Sequence, residues 1–316
     1  MIKQIKNYPN ILPIILTIIA LSVIILIPSS VAAYNNYLSD KKLSPIYEVN
    51  TRVKDVPFIS FALVNFTLTK FGSDCPNEIA IYVHGFNRND TEAKEEFNRI
   101  QTSLNNNIYR IPLVGFSWDS KVLWEQAKIN AKENGPKLAD YIISFHNKCP
   151  NTKIHVIAHS LGATVVDSAL VILDKSSTWN NSKIASVHLL GAAINNTLIS
   201  HNSHVIENVV DKFYNLFDPE DDGLKVNQLE NSQPLGLVGA PKGSVPANYA
   251  DINVVYEIPP FSDADGDGNI EECFEDINPV KVWGDNHCGY IGLRQSFSNS
   301  LLDDGAINVV VEDWKS

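Results

Sequence analysis

Residues 154–163 read IHVIAHSLGA. An apolar, β-type run with Val156 and Ile157 at its centre passes directly into Ala158-His159-Ser160-Leu161-Gly162. Apolar residues then recur at helical spacing through ATVVDSALVIL (163–173), so the turn joins a strand to a helix without a loop. Such a sharp turn strains the residue at its apex and points its side chain out of the sheet edge. Small residues two before and two after allow strand and helix to approach closely. Ala158 and Gly162 fill those places around Ser160, which matches the G-x-S-x-G pattern with Ala first. The helix start presents backbone N–H groups to negative charge, and the Leu161 N–H is placed to donate to an oxyanion. The plainer alternative is a serine that only caps the helix.

Working outward, strands and helices alternate. IAIYVHG (79–85) is an uninterrupted apolar run ended by Gly, as in a strand buried on both faces. Ala93, Phe97, Ile100 and Leu104 follow at helical spacing behind Asn89 or Asp90. IPLVGFSW (111–118) reads as a strand, 121–147 as a helix kinked or split at Gly135-Pro136, ASVHLLGAA (185–193) and DKFYNLF (211–217) as further strands. An earlier segment, 56–70, reads as one or two strands, VVYEIP (254–259) as a candidate for the last major strand, and 300–316 as a helix end and a late strand. The fold class is α/β, a mostly parallel sheet with helices on both faces and its site at the C-terminal strand edge. The loop YVHGFN (82–87) lies at that edge, where Phe86 offers a second oxyanion N–H and His84 a structural role.

HGFN (84–87), FSW (116–118) and IAHSLG (157–162), in this order, resemble the esterase/lipase-like branch of the α/β-hydrolase family. The resemblance covers roughly residues 75–225. It implies the α/β-hydrolase fold, a Ser-Asp-His triad in that chain order, and hydrolysis of an ester or related acyl bond. In the family an Asp followed three residues later by Leu closes the loop after the relevant strand. Asp221 with Leu224 matches this, with Asp218 in reserve; His287 is the one histidine after residue 204. The triad expected is therefore Ser160, Asp221 and His287, with Phe86 and Leu161 as the oxyanion hole. The gap between acid and histidine is longer than the family's usual one. The resemblance also makes the strands after Cys75 and Cys149 neighbours, which implies a Cys75–Cys149 disulfide and leaves Cys273 for Cys288.

The long gap contains DADGDGNIEECFED (263–276). Asp263, Asp265 and Asp267 with Gly268 resemble an EF-hand-type calcium loop, the Asn269 carbonyl supplying the seventh position. Position twelve is Phe274, so Glu271, Glu272 or Glu275 has to substitute; flanking helices are not evident, and an acidic surface turn is the alternative. The expected Ca2+ is structural, clamping the insertion at about 260–280 that carries His287. No organic cofactor is expected.

The chain has 316 residues, a net charge of −11 and four cysteines. The charge excludes general nucleic-acid binding. Residues 11–27 are apolar without a charge, after Lys3 and Lys6. They read as a signal peptide ending near Val31-Ala32-Ala33, or as a membrane anchor through residues 11–29. Either exports the remainder to a secreted or membrane-anchored location, where an even cysteine count suits disulfides. Sequons at Asn65, Asn89, Asn180 and Asn195 agree weakly. The organisation expected is 1–33 leader or anchor, 34–54 linker and 55–316 hydrolase domain. The function expected is an exported serine hydrolase acting on a small-molecule or lipid ester. The rivals are a non-catalytic calcium-binding surface protein and an acyltransferase or peptidase using the same triad.

Overall fold

The computed structural model describes residues 44–52, 75–228, 233–243, 245–258, 285–294 and 301–316. The leader or anchor, the 56–70 strands, the acidic 263–276 loop and Cys273 lie outside these residues.

Seven parallel strands form the central sheet: β1 (Ile46–Asn50), β2 (Glu78–Val83), β3 (Leu113–Ser117), β4 (Lys153–His159), β5 (Ile184–Leu190), β6 (Val210–Phe217) and β7 (Tyr249–Asn253). They stand in the order β1-β3-β2-β4-β5-β6-β7, so β4, which leads to Ser160, is central. The inner strands are buried on both faces, and side chains alternate between two cores. From β2, Ile79, Ile81 and Val83 join the core under α2 (Trp124–Lys148) and α3 (Gly162–Lys175). Ala80 and Tyr82 join the opposite core with α1 (Asp90–Asn106) and α9 (Ile307–Lys315). Helix α1 starts in a capping box, the Asn89 side chain accepting from the Glu92 N–H at 3.0 Å and Glu92 reaching back to the Asn89 N–H. Short helices α4 (Leu198–His201), α5 (Ser203–Val209), α6 (Asp222–Gln228), α7 (Leu235–Val238) and α8 (Asp285–Gly289) lie between and after the later strands. A small antiparallel pair, β8 (Leu293–Arg294) with β9 (Leu301–Asp303), precedes α9.

Three expectations need correction. The stretch read as linker, 34–54, contains β1, which pairs with β3 from Ile46↔Leu113 to Asn50↔Ser117. As an edge strand it has one fully buried residue, Val49, so it carries little apolar signal, and the domain begins before residue 55. Helix α2 runs unbroken past Pro136. Pro136 and Lys132, whose carbonyl loses its partner, are both on the exposed side, where water satisfies that oxygen. The stripe of Ala127, Ala131, Leu138, Ala139 and Ile142 meanwhile stays in the core. The last strand of the sheet is Tyr249–Asn253, not 254–259. Val254 and Ile258 are buried from a turn, so their apolarity reports packing, not extended backbone. At the C-terminus the strand β9 comes before the helix α9, so residues 300–316 contain both a strand and a helix.

Candidate active site

Ser160 follows β4 directly with φ +54°, in the left-handed region. A non-glycine residue there costs on the order of 1–2 kcal/mol. Backbone bonds fix it on both sides: the Ser160 N–H donates to the Leu190 carbonyl at 2.9 Å, and the Ala193 N–H donates to the Ser160 carbonyl at 3.1 Å. Gly162 answers why glycine stands two residues on. A Cβ there would lie 2.5 Å from the Val83 carbonyl oxygen and 2.7 Å from that of His84, so any side chain would push α3 off β2. Leu161 is the cap residue of α3, and its N–H lies at the positive end of a 14-residue helix.

The loop after β2 abuts this elbow. A Cβ on Gly85 would approach the Ser160 Cβ to 2.8 Å, which leaves glycine as the residue that lets the Phe86 backbone come close. The Phe86 ring packs edge-on against Trp124, with centroids 5.0 Å apart. His84 is structural. Its Nε2 accepts from the Trp118 N–H at 3.1 Å, so Nδ1 carries the proton and donates to the Gly85 carbonyl at 2.9 Å. The ring stacks on Trp118, and burial drives its pKa down to about 3.

Asp221 and His287 come together although 66 residues separate them: His287 Nδ1 lies 2.7 Å from Asp221 Oδ2. Asp221 Oδ1 accepts the Leu224 N–H at 2.8 Å. Asp221 thus precedes and caps α6, which gives the Asp-x-x-Leu spacing its physical meaning. Asp218 accepts the Glu220 N–H at 2.7 Å, and burial raises its carboxyl. The His287 ring lies 4.9 Å from that of His159, the residue before Ser160. Ser160, Asp221 and His287 are all buried at one edge of the sheet.

Three features near this edge carry no signal in the sequence. The His159 Nε2 lies 2.8 Å from the His287 carbonyl oxygen. The Tyr290 ring stands edge-on to His287, with centroids 6.2 Å apart. After the loop that follows β2, Arg88 and Glu96 form a buried ion pair, with the Tyr82 hydroxyl donating to Glu96 at 2.7 Å. Burial alone would raise the Glu96 carboxyl, but Arg88, then His159 and His84, hold it down at about 2.

Cys75 and Cys149 form a disulfide with Cα atoms 5.6 Å apart, where β2 and β4 begin. Among the described residues no cysteine is free; the Cys273–Cys288 pairing falls on residue 273, outside them. Asp263, Asp265, Asp267, Asn269, Glu271 and Glu275 also lie outside. Among the described residues no group of three or more His, Cys, Asp or Glu side chains could hold a metal ion. No described helix is long and apolar enough to cross a membrane.

A seven-stranded parallel sheet, helices on both faces and a serine on a left-handed strand-to-helix turn together define an α/β hydrolase. The chain belongs to this class. Residues 65–249 match the family described as "Alpha/beta hydrolase of unknown function (DUF900)". No curated protein matches the chain. Among solved structures, it is similar to a Trichoderma reesei cutinase in complex with a phosphonate inhibitor (21% identity, 43% of this chain, 63% of that one, TM-score 0.26). It is also similar to an uncharacterized protein from Bacillus cereus ATCC 10987 (12% identity, 60% and 59%, TM-score 0.36). A third is an acetyl xylan esterase (14% identity, 56% and 83%, TM-score 0.33). The chain spans less than two thirds of the length of the first two.

Proposed function

We propose that this chain is a serine hydrolase that cleaves carboxylic ester bonds through Ser160, His287 and Asp221. The observation that carries the reading is the 2.7 Å contact between His287 Nδ1 and Asp221, with the His287 ring 4.9 Å from that of His159, the residue before the left-handed Ser160. Asp221 takes the Nδ1–H, so the lone pair resides on Nε2, the nitrogen free to act as base. Nε2 takes the Ser160 proton as Oγ attacks the ester carbonyl. The oxygen of the tetrahedral intermediate receives the Phe86 and Leu161 N–H groups. Collapse breaks the bond to the alcohol oxygen, which leaves with the proton from Nε2. Water, deprotonated by the same nitrogen, then releases the acid and restores Ser160.

The substrate we infer is a small-molecule or lipid ester: Phe86 and Trp124 give the oxyanion loop an apolar wall, and Leu123, before α2, is 84% exposed. The disulfide suits an oxidising compartment, so we place the domain outside the cytoplasm, secreted or anchored by residues 11–29. We further propose a structural calcium ion on Asp263, Asp265 and Asp267. EGTA should then lower the melting temperature and the activity together; loss of neither removes this ion from the proposal.

The test of the hydrolase reading is turnover of p-nitrophenyl esters from acetate to palmitate by the full chain, purified with calcium, beside Ser160→Ala. Fluorophosphonate labelling mapped to Ser160 is the second readout. Activity and label confined to the wild type support the reading. A folded wild type that neither turns over esters nor takes the label refutes it, and leaves the hydrolase fold serving as a binding protein.

A further inference from the structure

Resting on the triad proposed above, we propose that His159 is a positioning residue: it holds His287 in register with Ser160 through the backbone of the catalytic loop. The His287 carbonyl can only accept, so His159 Nε2 carries a proton and donates it across 2.8 Å, joining residues 128 apart. His159 is itself fixed. It is the last residue of β4 and pairs with Leu190 of β5, and its side chain is fully buried beside the His287 and Tyr290 rings, at 4.9 and 6.3 Å.

The consequence is geometric. The nucleophile is the next residue after His159 on a rigid central strand. The base sits in α8, a five-residue helix that offers little rigidity of its own. Its side chain is held at Nδ1 by Asp221, and its main chain by His159. These two bonds bracket the imidazole from opposite ends. The distance between nucleophile and base is thereby set by β4, and a misplacement of about 1 Å at such a distance can cost on the order of a hundredfold in rate.

A neutral imidazole protonated at Nε2 suffices for this bond. The charged or titratable groups that face it are His287, Tyr290, Glu96 and Arg88, and burial, followed by His287, holds its pKa down to about 4. His159 therefore stays neutral throughout the range in which His287 acts as a base.

Side-chain length separates positioning from packing. Gln places its amide nitrogen near the position of the histidine Nε2; Asn has the same chemistry and falls short. The experiment compares wild type, His159→Gln, His159→Asn and His159→Phe, the last keeping a ring without a donor. The first readout is the kcat and KM of ester hydrolysis. The second is the low-field proton resonance of the Nδ1–H bonded to Asp221. We expect His159→Gln to stay within a few-fold of wild type. His159→Asn and His159→Phe should lose about 10- to 100-fold in kcat at similar KM, with a broadened or absent resonance. Equal kcat and an unchanged resonance in folded His159→Asn would overturn the proposal. If His159→Phe does not fold, the Gln and Asn pair still decides. A wild type inert to esters and fluorophosphonate refutes the hydrolase reading instead, and the resonance then reports on positioning alone.

Discussion

Replacing Asp221 by Asn separates geometry from chemistry at the proposed triad. The two carboxylate oxygens have different partners: Oδ1 takes the Leu224 N–H at 2.8 Å, and Oδ2 faces His287 Nδ1 at 2.7 Å. In Asp221→Asn one atom becomes NH2. The Leu224 N–H is a fixed donor at the start of α6, so the amide oxygen must face it, and the NH2 must face the imidazole. His287 Nδ1 then has to accept, which moves the ring proton to Nε2 and removes the base from the side of Ser160. The ring keeps its position and loses its function. A wrong-tautomer substitution of this kind costs on the order of 10⁴ in kcat, or about 5.4 kcal/mol at about 1.36 kcal/mol per tenfold. Stability should change little, because shape and hydrogen-bond count are retained. The assay is kcat on a p-nitrophenyl ester together with the rate of fluorophosphonate labelling, and Asp218→Asn serves as the control. An Asp221→Asn enzyme within tenfold of wild type, or a larger loss in Asp218→Asn, would refute the assignment of the acid.

Glu96→Gln should destabilise the domain by about 3–5 kcal/mol, since it leaves Arg88 buried without its partner; urea melts measure this. The Glu96 carboxyl lies at about 2 in the folded chain, against about 4.3 unfolded. Its contribution is therefore complete above about pH 4.3 and drains away as the pH falls toward 2, so the stability curves of wild type and Glu96→Gln should converge in acid. Removing the Cys75–Cys149 disulfide frees a loop with a sequence separation of 74. The chain-entropy relation gives a loss of about 4 kcal/mol, to be read in Cys75→Ala/Cys149→Ala, with ester hydrolysis retained at temperatures below the new melting point. Ser160→Gly should melt higher than Ser160→Ala, by about 1 kcal/mol in stability, because glycine relieves the left-handed φ and alanine does not. Equal melting temperatures would show that Ser160 carries no strain.

The elbow was legible because it changes period: residues 154–158 are a β-type run, apolar except for His155, and those after Gly162 repeat at helical spacing. The candidate acid, Asp221, came from the resemblance, through its spacing to Leu224, and the structure gives that spacing a physical basis: Asp221 accepts the Leu224 N–H at the start of α6. β1 was not legible, because an edge strand with one fully buried residue offers the sequence pattern almost nothing. Pro136 does not split α2. A proline breaks a helix by orphaning a carbonyl, and the cost is small when that carbonyl faces water. His159 shows the limit most clearly. Its position beside Ser160 was plain, but its partner is the main chain of a residue 128 positions away, and no local pattern encodes a backbone acceptor at that distance.

The long gap between Asp221 and His287 then has a physical explanation. The entropy of closing a loop grows only as the logarithm of its length, about 0.6 kcal/mol per doubling. Added residues therefore cost the site little, provided the two ends are tied down. The proximal end is tied at β7, where the Asp251 carboxylate accepts from Asn215 of β6 at 2.8 Å and from the Ala240 N–H at 2.9 Å. The distal end is tied at His287 by Asp221 and His159, and again where the Ala306 N–H donates to the Tyr290 carbonyl at 3.1 Å. With both ends tied to strands of the sheet or to the short helices beside it, residues 259–284 can vary in length and take on an acidic sequence without moving the imidazole. A longer connection would be tolerated at this point in the chain because the position of His287 is set by what its loop ends touch, not by the residues that lead to it.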